Sequence, residues 1–298
     1  MNLLRSAMAA AILSLTVAGA HAEVETLIPE GNSGFATLLS GVSYTKVANG
    51  FARNNLEMDL LLPGSQEPTA AIVFVMGNGW QSIDRRVLIP QLSELARAGY
   101  AVATIDYRII GEATFPEPEK DVKAAIRFLR ENASRFNIDP DRIGLFGNSA
   151  GGHLSLVAGL SHGVATFAND EWADQDDSVK AIVAFYAPSF LGDMSDSPTG
   201  RTSAHMGMDL SDPANLEAGK AGDPITYADE TDPPVLLIHG TEDVVVPIEQ
   251  SDRLHDELAA AGVDVTLLRV EGIGHSFGKM SSTPEVMARV RGFFDAHL

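Results

Sequence analysis

The sequence predicts an α/β fold: a mostly parallel sheet with helices on both faces. Three observations point to it. Near-continuous apolar runs recur at Ala70–Gly77, Tyr100–Ile105, Val179–Phe190 and Pro233–Gly240, as expected of strands buried on both faces. Stretches of helical periodicity separate these runs, so strand and helix alternate along the chain. Between Arg142 and Leu160 the chain reads as an apolar strand, a sharp Gly-Asn-Ser-Ala-Gly turn and an unbroken helix. At 298 residues, 45% hydrophobic and 20% charged, the chain suits one large domain with a well-buried core.

The elements follow in order. Met1–Ala22 has one positive charge at Arg5, an apolar core from Ala7 to Ala18 and Ala20-His21-Ala22 as a cleavage pattern, so it reads as a secretory signal peptide. Its apolar run is shorter than the roughly 18–20 residues that a spanning helix needs, and no later stretch is long or uniform enough to cross a bilayer. The expected protein is exported, periplasmic or extracellular, and begins near Glu23. Residues 23–55 read as an arm and a first strand, with Asn49-Gly50 as a hairpin turn; residues 56–298 read as the main α/β domain.

Arg86–Ala98 has helical spacing and stops at Gly99. Asp106 and Arg108, at the end of the next strand, read as a structural charged anchor. Pro118–Phe136 reads as one amphipathic crossover helix, with acid early and base late to suit the helix dipole. His153 falls one helical turn beyond Ser149 and faces the core, which makes it a structural histidine. Residues 191–232, rich in Gly, Pro, Asp and Met and without clear period, read either as a lid-like insertion, with Met194, Met206, Met208 and Tyr227 as pocket lining, or as a surface loop. His239 reads as a buried strand-end histidine. A helix over Ile248–Ala261, a last strand and a final helix over Pro284–His297 complete the alternation.

The Gly147–Gly151 turn has the steric form of a G-x-S-x-G elbow, which lifts Ser149 above the carboxyl edge of a parallel sheet. A nucleophilic serine needs a base, and the base needs an orienting acid. Asp243 lies just after the strand of Pro233–Gly240, and His275 sits in a Gly-flanked loop after the strand of Val263–Val270. All three residues therefore follow strands and reach one rim of the sheet. Glu242 competes with Asp243 for the acid role, and motif position favours Asp243.

The run from Phe115 to Leu154, together with Asp106–Arg108, His239–Pro247 and Gly272–Phe277, resembles the α/β-hydrolases of the esterase/lipase type. It is similar to the group that includes the hormone-sensitive-lipase-like carboxylesterases and the feruloyl or acetylxylan esterase-like proteins. The likeness covers roughly residues 56–298. It implies an eight-stranded α/β-hydrolase sheet and a serine ester hydrolase in which Ser149, Asp243 and His275 are catalytic. It also implies an oxyanion hole made by the backbone N–H groups of Asn78, Gly79 and Ala150, with Trp80 beside the substrate. Where the family carries a His-Gly-Gly-Gly-like loop, this chain has Met76-Gly77-Asn78-Gly79; because the donors are main-chain groups, the hole survives the change if the backbone path is kept.

Cysteine is absent, which excludes disulfides, thiol catalysis and Cys-ligated metals. No metal or organic cofactor is implied. A formal charge of −19 argues against nucleic-acid or anionic-membrane partners and disfavours strongly polyanionic substrates. The expected partner is a small-molecule or carbohydrate ester; oligomeric state leaves no mark in the sequence. Two rival readings use the same residues: a serine peptidase or amidase, and a hydrolase-fold binding protein without catalysis.

Overall fold

The structure is a computed structural model and describes residues 36–46, 55–82, 84–194 and 200–298. The expected Met1–Ala22 leader, the expected arm to residue 35 and the expected Asn49-Gly50 turn lie outside the described residues. The strands are β1 (Ala36–Lys46), β2 (Asn55–Pro63), β3 (Thr69–Val75), β4 (Ala101–Ile105), β5 (Ile138–Asn148), β6 (Ile182–Phe185), β7 (Val235–Gly240) and β8 (Val265–Val270). They form one eight-stranded sheet in the order β1-β2-β4-β3-β5-β6-β7-β8. β1 pairs with β2, and β2 with β4, in antiparallel fashion; every later pairing is parallel. This is the mostly parallel sheet expected. β1, which falls within the 23–55 stretch, belongs to the same sheet as the rest.

The helices are α1 (Ile89–Arg97), α2 (Glu117–Glu131), α3 (Ala133–Phe136), α4 (Ala150–Leu160), α5 (Arg201–Met206), α6 (Leu216–Gly219), α7 (Glu249–Ala260), α8 (Phe277–Ser281) and α9 (Pro284–His297). Strand alternation sorts the apolar side chains into two cores. On β3, Ala71, Val73 and Val75 face one core with Val122 and Leu129 of α2, Leu154 of α4 and Leu254 of α7. Ile72 and Phe74 face the other, with Leu92 and Leu95 of α1, Phe277 of α8 and Phe294 of α9. All seven residues of β3 are buried, which explains its unbroken apolar run. Each large aliphatic or aromatic side chain buried there stabilises the fold by roughly 1.5–3 kcal/mol. Among the described residues, no helix is long and apolar enough to cross a membrane.

Three expectations change in detail. The crossover helix breaks at Asn132, whose side-chain amide donates to Phe128 O at 2.9 Å, so α2 and α3 are separate. α1 begins at Ile89, with a proline in its first turn, rather than at Arg86. Arg85, just before it, is held instead by Glu57, Asp59 and Asp106. The 191–232 insertion is not aperiodic: its described residues fold into short turns of helix, including α5 and α6.

Register sets the site. Val75 pairs with Ile105 and Gly147 pairs with Val75, so β3, β4 and β5 end level with one another. Asn148 pairs with Phe185, Phe185 with Ile238, and Gly240 with Val270. The residues that follow these strand ends therefore meet along one carboxyl edge.

Candidate active site

β5 is forced through a sharp bend into α4, and Ser149 takes up the strain with φ 53° and ψ −127°. The flanking glycines are steric necessities: a Cβ on Gly147 would sit 2.2 Å from Gly151 O, and one on Gly151 would sit 2.0 Å from Val75 O. The bend presents the serine hydroxyl to the loop after β8. There His275 Nε2 lies 2.9 Å from Ser149 Oγ. His275 Nδ1 lies 2.7 Å from Asp243 Oδ2, and a carboxylate oxygen can only accept, so Nδ1 carries the proton and Nε2 is left to accept from the serine.

Asp243 is enclosed. Its Oδ1 accepts from the N–H groups of Val245 and Val246 at 2.8 and 2.9 Å. Burial works to raise its pKa, but hydrogen bonds from His239, His275 and the Val246 N–H prevail and hold it well below the usual carboxylate range. His239 is fully buried, and its Nε2 lies 2.9 Å from Val246 O and 3.3 Å from Asp243 Oδ2. Its Nδ1 is 2.7 Å from Ser251 Oγ on α7. His239 thus ties the acid loop to α7, a role its strand-end position alone did not disclose.

The loop after β3 supplies the opposite wall. Gly77 N donates to Asn148 Oδ1 at 3.2 Å, and the other end of that amide faces Tyr186 OH at 3.4 Å. Tyr107 OH donates to Met76 O at 2.8 Å, Ile110 N to Trp80 O at 2.7 Å, and Asn78 Nδ2 to Ser82 O at 2.8 Å. The backbone path is therefore fixed without the family's histidine and middle glycine. The N–H groups of Asn78, Gly79 and Ala150 have no acceptor among the described residues, which leaves them free for a developing oxyanion.

A pocket of about 270 Å³ opens at this point, lined by Gly77, Asn78, Gly79, Ser149, Tyr186 and His275 together with Met76, Leu88, Asn148, Arg201, Val245 and Phe277. The Tyr186 ring centre is 4.3 Å from that of His275. Three residues expected beside the substrate lie elsewhere. Trp80 is only 3% exposed and turned inward, stacked on His205 with ring centres 4.5 Å apart and edge-on to His153. Met206 is buried against Gly222 and Leu191. Tyr227 donates to Ala221 O and lines a different cavity with His162 and Asp232. Packing onto the core claims these apolar side chains, and Arg201 of α5, not singled out from the sequence, reaches the pocket instead.

The remaining candidates are structural. His153 is fully buried with Nε2 2.7 Å from Gly222 O. Arg108 grips Asp121, and Asp106 binds Arg85. Among the described residues, two groupings have metal-ligand spacing: buried Glu119, His153 and His205, and the more exposed His162, Asp176 and Asp177. Both are already tied internally, His205 to Glu119 at 3.0 Å and His162 to Asp177 at 2.9 Å. Neither borders the Ser149 pocket.

A serine on a strained elbow, at the carboxyl edge of this sheet and joined to a histidine and an acid from two later loops, defines an α/β-hydrolase. The chain belongs to the BD-FAE family, whose model matches residues 58–258. Among curated relatives, esterase LipC of Mycobacterium tuberculosis is 32% identical over 71% of this chain and 54% of its own length. The isoprenylcysteine alpha-carbonyl methylesterase ICME of Arabidopsis thaliana is 28% identical over 75% of this chain and 54% of its own. The chain thus spans about half the length of the curated relatives it matches. Among solved structures, a truncated carbohydrate esterase from gut microbiota superposes with a TM-score of 0.79 at 29% identity, covering 89% of this chain and 98% of that one.

Proposed function

We propose that this chain is a serine carboxylic-ester hydrolase that works through an acyl-enzyme on small or carbohydrate-linked esters. One observation carries the reading: Ser149 Oγ, His275 Nε2 and Nδ1, and Asp243 Oδ2 form a continuous hydrogen-bonded chain of 2.9 and 2.7 Å at the mouth of a pocket. Ser149 Oγ attacks the acyl carbonyl as His275 takes its proton. The C–O bond to the alcohol breaks as His275 returns that proton to the leaving oxygen, and water then repeats the attack on the acyl-enzyme. Asp243, held ionised, keeps the imidazole in the working tautomer. The N–H groups of Ala150 and of Asn78 or Gly79 receive the oxyanion.

A pocket of about 270 Å³ is just below the usual size of ligand cavities, which favours short acyl groups. The carbohydrate esterase among the structural relatives supports a sugar on the alcohol side. Export rests on the Met1–Ala22 pattern. The test is labelling of Ser149 by a fluorophosphonate together with turnover of acetyl, butyryl, octanoyl and feruloyl esters. Labelling that disappears in Ser149→Ala and turnover that declines with chain length support the proposal. Failure to label, or preference for peptide anilides over esters, overturns it.

A further inference from the structure

Most of the described arginines are matched to acids. Arg85 has Glu57, Asp59 and Asp106; Arg108 has Glu117 and Asp121; Arg127 has Asp177; Arg253 has Asp193 and Glu257. That is what 40 acidic against 21 basic side chains would lead one to expect. Arg201 departs from the pattern at the one place where departure bears on chemistry. It is partly buried, opens α5 and lines the Ser149 pocket, yet makes no hydrogen bond or ion pair with any described residue.

Its position is constrained. The side chain lies against Gly79, where a Cβ would come within 2.6 Å of Arg201 Cδ and 2.8 Å of Nη1. The guanidinium is thus beside the loop that faces the oxyanion. Among the described residues, no side chain lining the pocket is a carboxylate, and Asp243 is occupied by His275, His239 and two backbone N–H groups. The pocket therefore holds a planar cation whose fork of donors is unfilled, the geometry that suits a carboxylate.

Building on the esterase reading, we infer that Arg201 is a specificity residue that binds a carboxylate on the substrate, so that preferred substrates are esters with a carboxylate group close to the scissile bond. That group can belong to the acyl part, as in a half-ester of a dicarboxylic acid, or to the alcohol part, as in an acetylated uronic acid. The net negative charge disfavours long polyanions. A single carboxylate paired directly with Arg201 is a short-range contact that this general repulsion does not cancel.

The experiment compares kcat/KM within two matched pairs: monomethyl succinate against methyl pentanoate, and an acetylated methyl glucuronoside against the corresponding acetylated methyl glucoside. The ratio within each pair is the readout, so any general loss of activity in a variant cancels. Wild type is expected to prefer the charged member of at least one pair by about 10- to 100-fold, the range for a charge-assisted bidentate contact. Which pair shows it identifies the side of the ester that carries the charge. In Arg201→Gln the ratio falls to about 1 or below, and Arg201→Lys, with charge but no fork, falls between. Hydrolysis of the neutral esters without preference in either pair overturns the inference and leaves the esterase reading standing, as does a preference that persists in Arg201→Gln. Labelling of Ser149 with no turnover of any of the four esters also overturns it. Absence of labelling as well removes both.

Discussion

His239 Nε2 lies 3.3 Å from Asp243 Oδ2, the same carboxylate oxygen that accepts from His275 Nδ1. Two imidazoles converge on one oxygen, one from the end of β7 and one from the loop after β8. The acid is thereby positioned from behind as well as from in front. Replacing His239 with Gln should lower kcat by roughly tenfold or more, in line with loss of one buried hydrogen bond to a charged group, and change KM much less. An unchanged kcat in a folded His239→Gln protein would remove this positioning role.

Asn148 joins the nucleophile turn to the loop after β3 through Gly77 N. Asn148→Ala releases that loop, and its backbone donors lose their alignment. The expected cost is about 10- to 100-fold in kcat, less than the 10²–10³ typical of deleting an oxyanion donor outright. Steady-state kinetics on a short acyl ester, with circular dichroism to verify folding, measure it. A change confined to KM would assign the residue to ground-state binding instead.

The elbow glycines and a surface glycine should respond in opposite directions. A Cβ on Gly151 would meet Val75 O at 2.0 Å, whereas one on Gly292 in α9 meets nothing within 4 Å. Gly151→Ala should destabilise by about 3 kcal/mol or more, or prevent folding. Gly292→Ala should stabilise by roughly 0.5–1 kcal/mol through helix propensity. Urea unfolding of both variants decides; a neutral Gly151→Ala would mean that the elbow is wider than described.

Burial, with a smaller contribution from neighbouring His205, pushes the His153 imidazole down to about 4 from an ordinary 6.5. Between those values the unfolded chain binds a proton that the folded one excludes. The stability is therefore full above pH 6.5 and is lost as pH falls toward 4, on the order of 3 kcal/mol in all. His153→Gln should flatten the difference in unfolding free energy between pH 7 and pH 4.5 relative to wild type. An equally steep dependence in the variant would place the acid sensitivity elsewhere.

The elements legible in the sequence were those where sterics or burial leave few choices. Only glycine fits at 147 and 151, so the elbow shows in the letters. A strand buried on both faces has few polar positions, so β3 and β7 stand out. What stayed hidden depends on contacts between distant residues. The approach of His239 to Asp243 requires the turn that follows β7, and the bridge from Asn148 uses a motif position that tolerates many residues. The break at Asn132 turns on one local side-chain bond. In the 191–232 insertion, composition suggested Met206 and Tyr227 as lining, but apolar side chains serve a core and a pocket equally well, and only the folded path separates the two. Arg201 carries no signal in sequence, since an unpaired arginine looks like any other until its neighbours are known.

Because one amide links the serine's turn to the facing loop, a shift of either strains the bond between them. Accommodation of a new substrate by adjusting one against the other therefore carries a cost. Divergence in substrate range among relatives should therefore be concentrated in the short helices that border the opening, where residue 201 sits, while the two joined loops change little.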